Sequence, residues 1–133
     1  MIQLPITSIL AGALALLMTV LSVLVSMRRA ATGTVYGDAD DDVLRRRVRA
    51  HGNFSEYAAM AVILVALVEL GGAANLLVRG LAAAFLASRL LHAYGMLHAS
   101  SRALRGAAMV LQHGAALTAG IWLLARFLGE ASG

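Results

Sequence analysis

The sequence has 133 residues, of which 60% are hydrophobic and 14% are charged, and its net charge is +4. This apolar share exceeds that of ordinary soluble domains, and the length fits a single domain, which we place at residues 1–133. All the basic residues are arginine, but a nucleic-acid-binding protein would be far less apolar, so we expect no nucleic-acid partner. Cysteine is absent, and the four histidines lack ligand spacing, so we expect neither disulfides nor a metal site.

Four apolar segments approach the roughly 20 residues that a helix needs to cross a bilayer. The first, residues 4–27, carries no charge. We interpret it as a span because it is too long for a signal-peptide core and follows no basic region. The other segments cover residues 50–70, 74–97 and 106–127. They predict an all-α fold, an integral membrane four-helix bundle with up-down-up-down topology.

The arginines between these spans predict the orientation of the bundle. Only Arg79 and Arg126 flank one side, whereas the other side has Arg28, Arg29, Arg45, Arg46, Arg47, Arg49, Arg102 and Arg105. Arginine-rich loops stay in the cytoplasm. We therefore expect the connections 28–45 and 98–105 to be cytoplasmic and both termini to face outward. Asp41 and Asp42, just before the second span, are expected to cap its helix.

Polar residues gather at the arginine-rich end of the spans. Arg49, Asn53 and Glu56 are spaced i, i+4, i+7, which places them on one helix face. The third span adds Arg89, His92 and Tyr94 near the same end. Ionisable groups in a span usually face the bundle interior or a wet cavity. One interpretation makes Glu56 a helix pin that pairs with Arg49 or Arg89, but the excess of arginine favours a binding site for an anion.

Several short motifs resemble those of a known membrane-protein family. The stretch VRAHGNFSEY, residues 48–57, resembles the helix-two signature of the MAPEG family, the membrane-associated proteins in eicosanoid and glutathione metabolism. SMRRA at the end of the first span and SRLLHAYG in the third resemble further family motifs. TVYGD followed by RAHGN is most similar to the small bacterial branch. The resemblance covers nearly the whole chain.

The resemblance implies a homotrimer of left-handed bundles in a bacterial inner membrane, with glutathione bound between subunits at the cytoplasmic face. Glutathione carries two carboxylates and one ammonium, which several arginines and one carboxylate complement. Arg102 or Arg105 would act in catalysis by stabilising the glutathione thiolate. The residues implied to bind glutathione are Arg28 or Arg29 from a neighbouring subunit, with Arg49, Asn53, Glu56, Tyr57, Arg89, His92 and Tyr94.

The implied activity is that of a glutathione transferase or peroxidase, with glutathione as co-substrate. Its second substrate would be a lipophilic electrophile or hydroperoxide that arrives from the bilayer. Gly52 and Met96 differ from the residues of eicosanoid-producing members, which argues against prostaglandin or leukotriene synthesis. The alternative is a non-catalytic membrane protein of this fold that binds an anionic lipid or has a structural role. A four-helix drug exporter would need a carboxylate in residues 4–27, which contain none.

Overall fold

The structure, a computed structural model, describes residues 3–99 and 101–131, and this part of the chain contains helices and no strand. Four helices are long and apolar enough to cross a membrane. The prediction of an all-α fold with four candidate spans is confirmed. In chain order the elements are α1 (Pro5–Thr32), α2 (Asp42–Leu70), α3 (Asn75–Tyr94), a π-helical turn (Gly95–Ala99) that extends α3, and α4 (Arg102–Ala131).

The helices extend beyond the apolar segments that predict them. α1 continues to Thr32, and α2 already begins at Asp42, so the predicted connection 28–45 is reduced to residues 33–41. α4 likewise begins at Arg102, ahead of the predicted start at residue 106. The helices are longer than the predicted spans because hydropathy marks only the part of a helix that suits lipid. The polar turns beyond it are helical too, and their free backbone groups are satisfied by caps.

The connection between α1 and α2 is fixed by a carboxylate with two kinds of partner. Asp41 is the N-cap of α2 and accepts a hydrogen bond from the Leu44 N–H at 2.6 Å, which confirms the expected capping role. Arg28 donates to the same carboxylate through Nε at 3.2 Å and Nη2 at 2.6 Å. The pKa of the Asp41 carboxyl is lowered from 3.8 to about 2, mainly by the hydrogen bonds from Arg28 and to a smaller extent by the one from the Leu44 N–H. Nearby, Arg47 Nη1 donates to the Leu24 carbonyl at 2.6 Å and joins α2 to α1 again.

The opposite end of the α1–α2 pair is closed by a second carboxylate. The N-cap residue of α1, Leu4, provides no side-chain cap. Glu69, in the last turn of α2, replaces it by accepting hydrogen bonds from the Ile6 N–H at 3.1 Å and the Thr7 N–H at 2.9 Å. The Thr7 hydroxyl donates to the same carboxylate at 2.7 Å. These contacts, with those of Arg28 and Arg47, show that α1 and α2 run antiparallel and are joined at both ends.

The core is apolar and runs along the bundle axis. α1 contributes leucines, α2 and α3 contribute aromatic and branched side chains, and α4 contributes alanines that let it approach closely. The surface is also apolar: large side chains such as Ile9, Leu16, Leu76 and Val110 are exposed. An apolar surface this extensive suits lipid or another membrane subunit. The buried core residues are Leu10, Leu14, Leu21, Ala50, Phe54, Ala61, Val65, Val68, Val78, Leu81, Phe85, Ala93, Ala115 and Ala119.

Candidate functional site

A polar cavity of about 420 Å³ opens where α2, the end of α3, the π-helical turn and the start of α4 meet. It lies at the arginine-rich end of the bundle. Its walls combine two guanidinium groups, one carboxylate, one carboxamide and one imidazole, a mixture that suits a ligand with both negative and positive groups. The lining residues are Arg49, Gly52, Asn53, Glu56, His92, Met96 and Arg105.

One face of α2 forms the first wall of this cavity. Arg49, Asn53 and Glu56 all line it, which confirms that their i, i+4, i+7 spacing places them together. Gly52 lies on the same wall and has no side chain to fill the space between them. Glu56 is exposed and forms no ion pair with any residue in 3–99 or 101–131. The helix-pin interpretation is therefore not observed in this chain, and the carboxylate is available to a ligand.

The opposite wall is shaped by the π-helical turn. His92, which is buried, and Met96, four residues later, both line the cavity. Arg105 of α4 donates to the Met96 sulfur at 3.4 Å. Gly95 permits this approach, because a Cβ at that position would lie 3.2 Å from Arg105 Cγ. π-helical turns occur frequently at functional sites, and here the turn brings the Arg105 guanidinium to the wall that faces α2.

A buried arginine lies directly behind Asn53. Arg89 is only 1% exposed, and its Nη1 donates to Asn53 Oδ1 at 2.8 Å. Its guanidinium lies 5.0 Å from the centre of the Tyr57 ring, and its Nε donates to Ser88 Oγ at 3.3 Å. Arginine has donors only, so it must engage the carboxamide oxygen of Asn53. The Asn53 amide N–H groups are thereby left for the cavity.

Besides Arg89, five residues implied to act at the site do not line the cavity of this chain. Arg28 binds Asp41, and Arg29 Nη1 donates to the Val35 carbonyl at 2.8 Å. Tyr57 packs against Arg89, and Tyr94 is exposed and stacks on His98 with ring centres 4.8 Å apart. Arg102 is exposed at the start of α4. Their roles toward glutathione remain predictions, and of the two arginines implied in catalysis, Arg105 is the one in the cavity.

Two lining residues were not predicted as site residues. Gly52 and Met96 had been considered only as departures from the family pattern, yet both line the cavity. The signal was available in their spacing: Gly52 is three residues after Arg49, and Met96 is four residues after His92. The sequence also did not predict the hydrogen bond from Ser88 Oγ to Gln112 Oε1 at 3.0 Å, which joins α3 to α4. This bond holds the Ser88 hydroxyl that accepts from Arg89.

No metal-binding arrangement accompanies the cavity in the residues that the structure describes. Among them, no three His, Asp or Glu side chains come together in a group that could hold a metal ion. The chemistry of the cavity therefore rests on its arginines, its carboxylate, its amide and its imidazole. These groups are able to form charge-assisted hydrogen bonds with an organic zwitterion or anion.

The fold and the cavity define a class: a small membrane protein with four candidate spans and a polar cavity at its arginine-rich end. Comparison with known families makes this specific, because residues 7–128 match the MAPEG family, and the chain belongs to that family. Two similar proteins are both called inner membrane protein YecN, from Escherichia coli strain K12 and strain O6:H1 (CFT073). Each is 38% identical over 63 residues, which cover 47% of this chain and 48% of the relative, so the match spans about half of each protein. No solved structure matches the chain significantly.

Proposed function

We propose that this membrane protein binds glutathione in the polar cavity and acts as a glutathione transferase or peroxidase in a bacterial inner membrane. The observation that carries the proposal is that the Glu56 carboxylate, which forms no ion pair among the described residues, lines one cavity together with Arg49 and Arg105. Glutathione has one ammonium for Glu56 and two carboxylates for guanidinium groups. Membership of the MAPEG family supports the choice of this peptide over other zwitterions.

The proposed catalytic residue is Arg105. A free thiol with a pKa of about 8.5 is mostly protonated at neutral pH, and a neighbouring guanidinium favours the thiolate. In the transferase reaction the thiolate sulfur attacks an electrophilic carbon, forms a C–S bond and expels the leaving group with its electron pair. Arg105 reaches the cavity from α4, whereas Arg102, three residues earlier and exposed, does not line it. The lipophilic second substrate would enter sideways from the bilayer.

Assembly as a homotrimer belongs to the proposal. The cavity is open on one side, and the bundle surface is apolar enough to contact other subunits in the membrane. Arg28 is already bound to Asp41, so Arg29, which bonds only a backbone carbonyl, is the better donor to a neighbouring site. Native mass measurement of the protein in mild detergent would show three chains per particle, and a stable monomer would contradict the intersubunit contribution.

The central test is Glu56→Gln. If Glu56 receives the glutathione ammonium, the substitution should weaken binding by about 1.5–3 kcal/mol, the contribution of a charge-assisted hydrogen bond. That is roughly a ten- to hundred-fold higher dissociation constant. Because Glu56 has no ionic partner among the described residues, the melting temperature without ligand should stay nearly constant. Calorimetric titration and thermal melting of both proteins measure these two quantities.

Glutathione without its amino group is the matched ligand control. It should bind the parent protein and Glu56→Gln with nearly equal affinity, since the lost carboxylate has nothing to pair with. A large drop in the melting temperature with unchanged glutathione affinity would contradict the ligand role of Glu56. Absence of any glutathione binding by the parent protein, with binding of anionic lipid at this cavity, would support the non-catalytic alternative.

Arg105 and Arg102 form a matched pair for testing catalysis. Arg105→Gln should lower the fraction of bound glutathione that is ionised at neutral pH, because the guanidinium near the sulfur is removed. Arg102→Gln removes the same charge from the same helix turn but outside the cavity, and it should leave that fraction unchanged. The ultraviolet absorbance of the thiolate, followed as pH is raised, gives the pKa of the bound thiol in each variant. Equal thiol pKa values in the two variants would exclude Arg105 as the stabilising group.

A further inference from the structure

A second cavity of about 200 Å³ lies between the end of α1, the start of α2 and the π-helical turn. It shares no lining residue with the first cavity, and neither the family resemblance nor the proposed function assigns it a role. Its wall is divided between cationic or titratable side chains and apolar ones. The lining residues are Leu24, Val43, Arg46, Arg47, Leu97 and His98.

The two arginines of this cavity lack carboxylate partners among the described residues. Arg46 Nε donates to the carbonyl of Asp42 within its own helix at 3.2 Å. Arg47 Nη1 donates to the carbonyl of Leu24 at 2.6 Å. A guanidinium has five N–H donors, so most donors of each arginine are not used by these contacts. The two positive charges are therefore available to an anion.

The aspartates of the α1–α2 connection cannot neutralise this cavity because other arginines occupy them. Asp41 is bound by Arg28 at 2.6 Å. Arg45 holds three further carboxylates through separate nitrogens, and its contacts are Asp38 at 2.7 Å, Asp40 at 3.4 Å and Asp42 at 2.7 Å. The acidic run thus compensates Arg28 and Arg45 and leaves Arg46 and Arg47 without counter-ions.

The remaining walls suit an amphiphile. Leu24, Val43 and Leu97 form an apolar surface beside the two guanidinium groups. The His98 ring is held at the edge by stacking on Tyr94, with ring centres 4.8 Å apart and planes 24° from parallel. Arg46 and Arg47 lie near the first turn of α2, where the helix leaves its most apolar part. Lipid headgroups occupy this depth in a membrane.

We propose that this second cavity binds the headgroup phosphate of an anionic phospholipid from the leaflet next to the α1–α2 connection. Arg46 and Arg47 would hold the phosphate oxygens, because the planar guanidinium fork matches phosphate geometry. The glycerol and first acyl carbons would lie on Leu24, Val43 and Leu97. Basic pockets between membrane helices bind anionic headgroups in this way. The site does not depend on glutathione binding and would remain if that proposal failed.

The test is a titration of the purified protein in neutral detergent with short-chain phosphatidylglycerol and phosphatidylcholine, followed by native mass spectrometry. The parent protein should bind phosphatidylglycerol in preference. Arg46→Gln should weaken that binding about fivefold, which is the electrostatic contribution of roughly one arginine near a membrane surface. Arg46→Gln combined with Arg47→Gln removes two such contributions and should weaken binding about 30-fold. Arg79→Gln, which removes an exposed arginine from the other end of the bundle, is the matched control and should leave it unchanged.

The single variant keeps the test decisive if the double variant does not fold. Arg46 bonds only within its own helix, whereas Arg47 also joins α2 to α1. Equal binding of the two lipids, or equal loss in Arg46→Gln and Arg79→Gln, would overturn the proposal. Displacement of phosphatidylglycerol by an equal concentration of inorganic phosphate would also overturn it and would identify a site for soluble phosphate.

Discussion

Arg89 carries a charge into the interior, and among the described residues its partners are neutral. Placing an ionised arginine inside a membrane span costs roughly 2.5–3.5 kcal/mol on insertion scales. Here the guanidinium is hydrogen-bonded to Asn53 and Ser88 and lies against the Tyr57 ring. Arg89 does not line the cavity, so it can act on a ligand there only through Asn53 and through its positive charge. Its position indicates that it orients the Asn53 carboxamide and adds positive potential behind the site.

Replacement of Arg89 by methionine tests this positioning role. Ser88 Oγ keeps its bonds to the Phe85 carbonyl and to Gln112, so the ligand-free melting temperature should not fall. Removal of the buried charge even eliminates its desolvation cost. Glutathione affinity should fall about tenfold, corresponding to about 1.4 kcal/mol for one hydrogen bond to a charged group. Calorimetry and thermal melting measure both effects.

Arg89→Gln is the control, because its amide nitrogen still reaches toward Asn53 without a charge. It should bind glutathione more tightly than Arg89→Met. A large loss of stability in both variants with unchanged affinity would show that Arg89 holds the helices together and does not position Asn53.

At the residue scale, sequence spacing predicts which residues share a helix face but not which of them line the cavity and which lie behind it. The spacing of Arg49, Asn53 and Glu56 was sufficient to place them on one wall. The i, i+3 spacing of Arg89 and His92 gave no indication that His92 lines the cavity while Arg89 lies behind it. That difference arises from the packing of α3 against both α2 and α4. Tyr94 follows His92 by only two residues within α3, so regular helix geometry already places it on another face, and it is exposed.

At the scale of the helices, the ends are determined by long-range contacts. Apolar length was enough to predict four helices, since spans of this length have few alternatives. The capping of α2 by Asp41 was also predictable, because it is local. The capping of α1 by Glu69 was not, since the two residues in contact are 62 positions apart. Carboxylates near helix N-termini are stabilising through the helix dipole, wherever they come from in the chain.

A graded series tests the Glu69 cap. Thr7→Val removes one of the three hydrogen bonds and keeps the side-chain shape. Glu69→Gln removes the charge and one of the two acceptor oxygens, because an amide nitrogen cannot accept a hydrogen bond. Glu69→Ala removes all three contacts and should destabilise the protein by about 0.5–2 kcal/mol, as the loss of an N-cap does. Hydrogen exchange at Ile6 and Thr7 should accelerate most in Glu69→Ala. Unchanged exchange there would show that the first turn of α1 does not depend on this cap.

At the scale of the whole molecule, the distribution of arginine predicts the orientation in the membrane. The α1–α2 connection and the start of α4 are expected in the cytoplasm, together with both cavities. The natural sequence has no cysteine, so single cysteines report position without background labelling. Tyr36, which is 88% exposed, and Ala74, at the α2–α3 turn, are suitable positions because neither has a positive backbone φ angle.

In intact cells, Ala74→Cys should react with a membrane-impermeant thiol reagent. Tyr36→Cys should react only after the membrane is opened. Mass spectrometry of the purified variants gives the labelled fraction, with the cysteine-free parent as control. Labelling of Tyr36→Cys alone in intact cells would reverse the orientation and place the glutathione cavity on the outer face.

The contacts that close the α1–α2 pair also have a consequence for biosynthesis. Ile6 and Thr7 precede their partner Glu69 by 63 and 62 positions, so the contact at this end can form only after the end of α2 has been synthesised. At the other end, Arg28 precedes Asp41 by 13 positions and Leu24 precedes Arg47 by 23. The contacts near the turn of the hairpin therefore have both partners earlier in synthesis than the contacts at its open end.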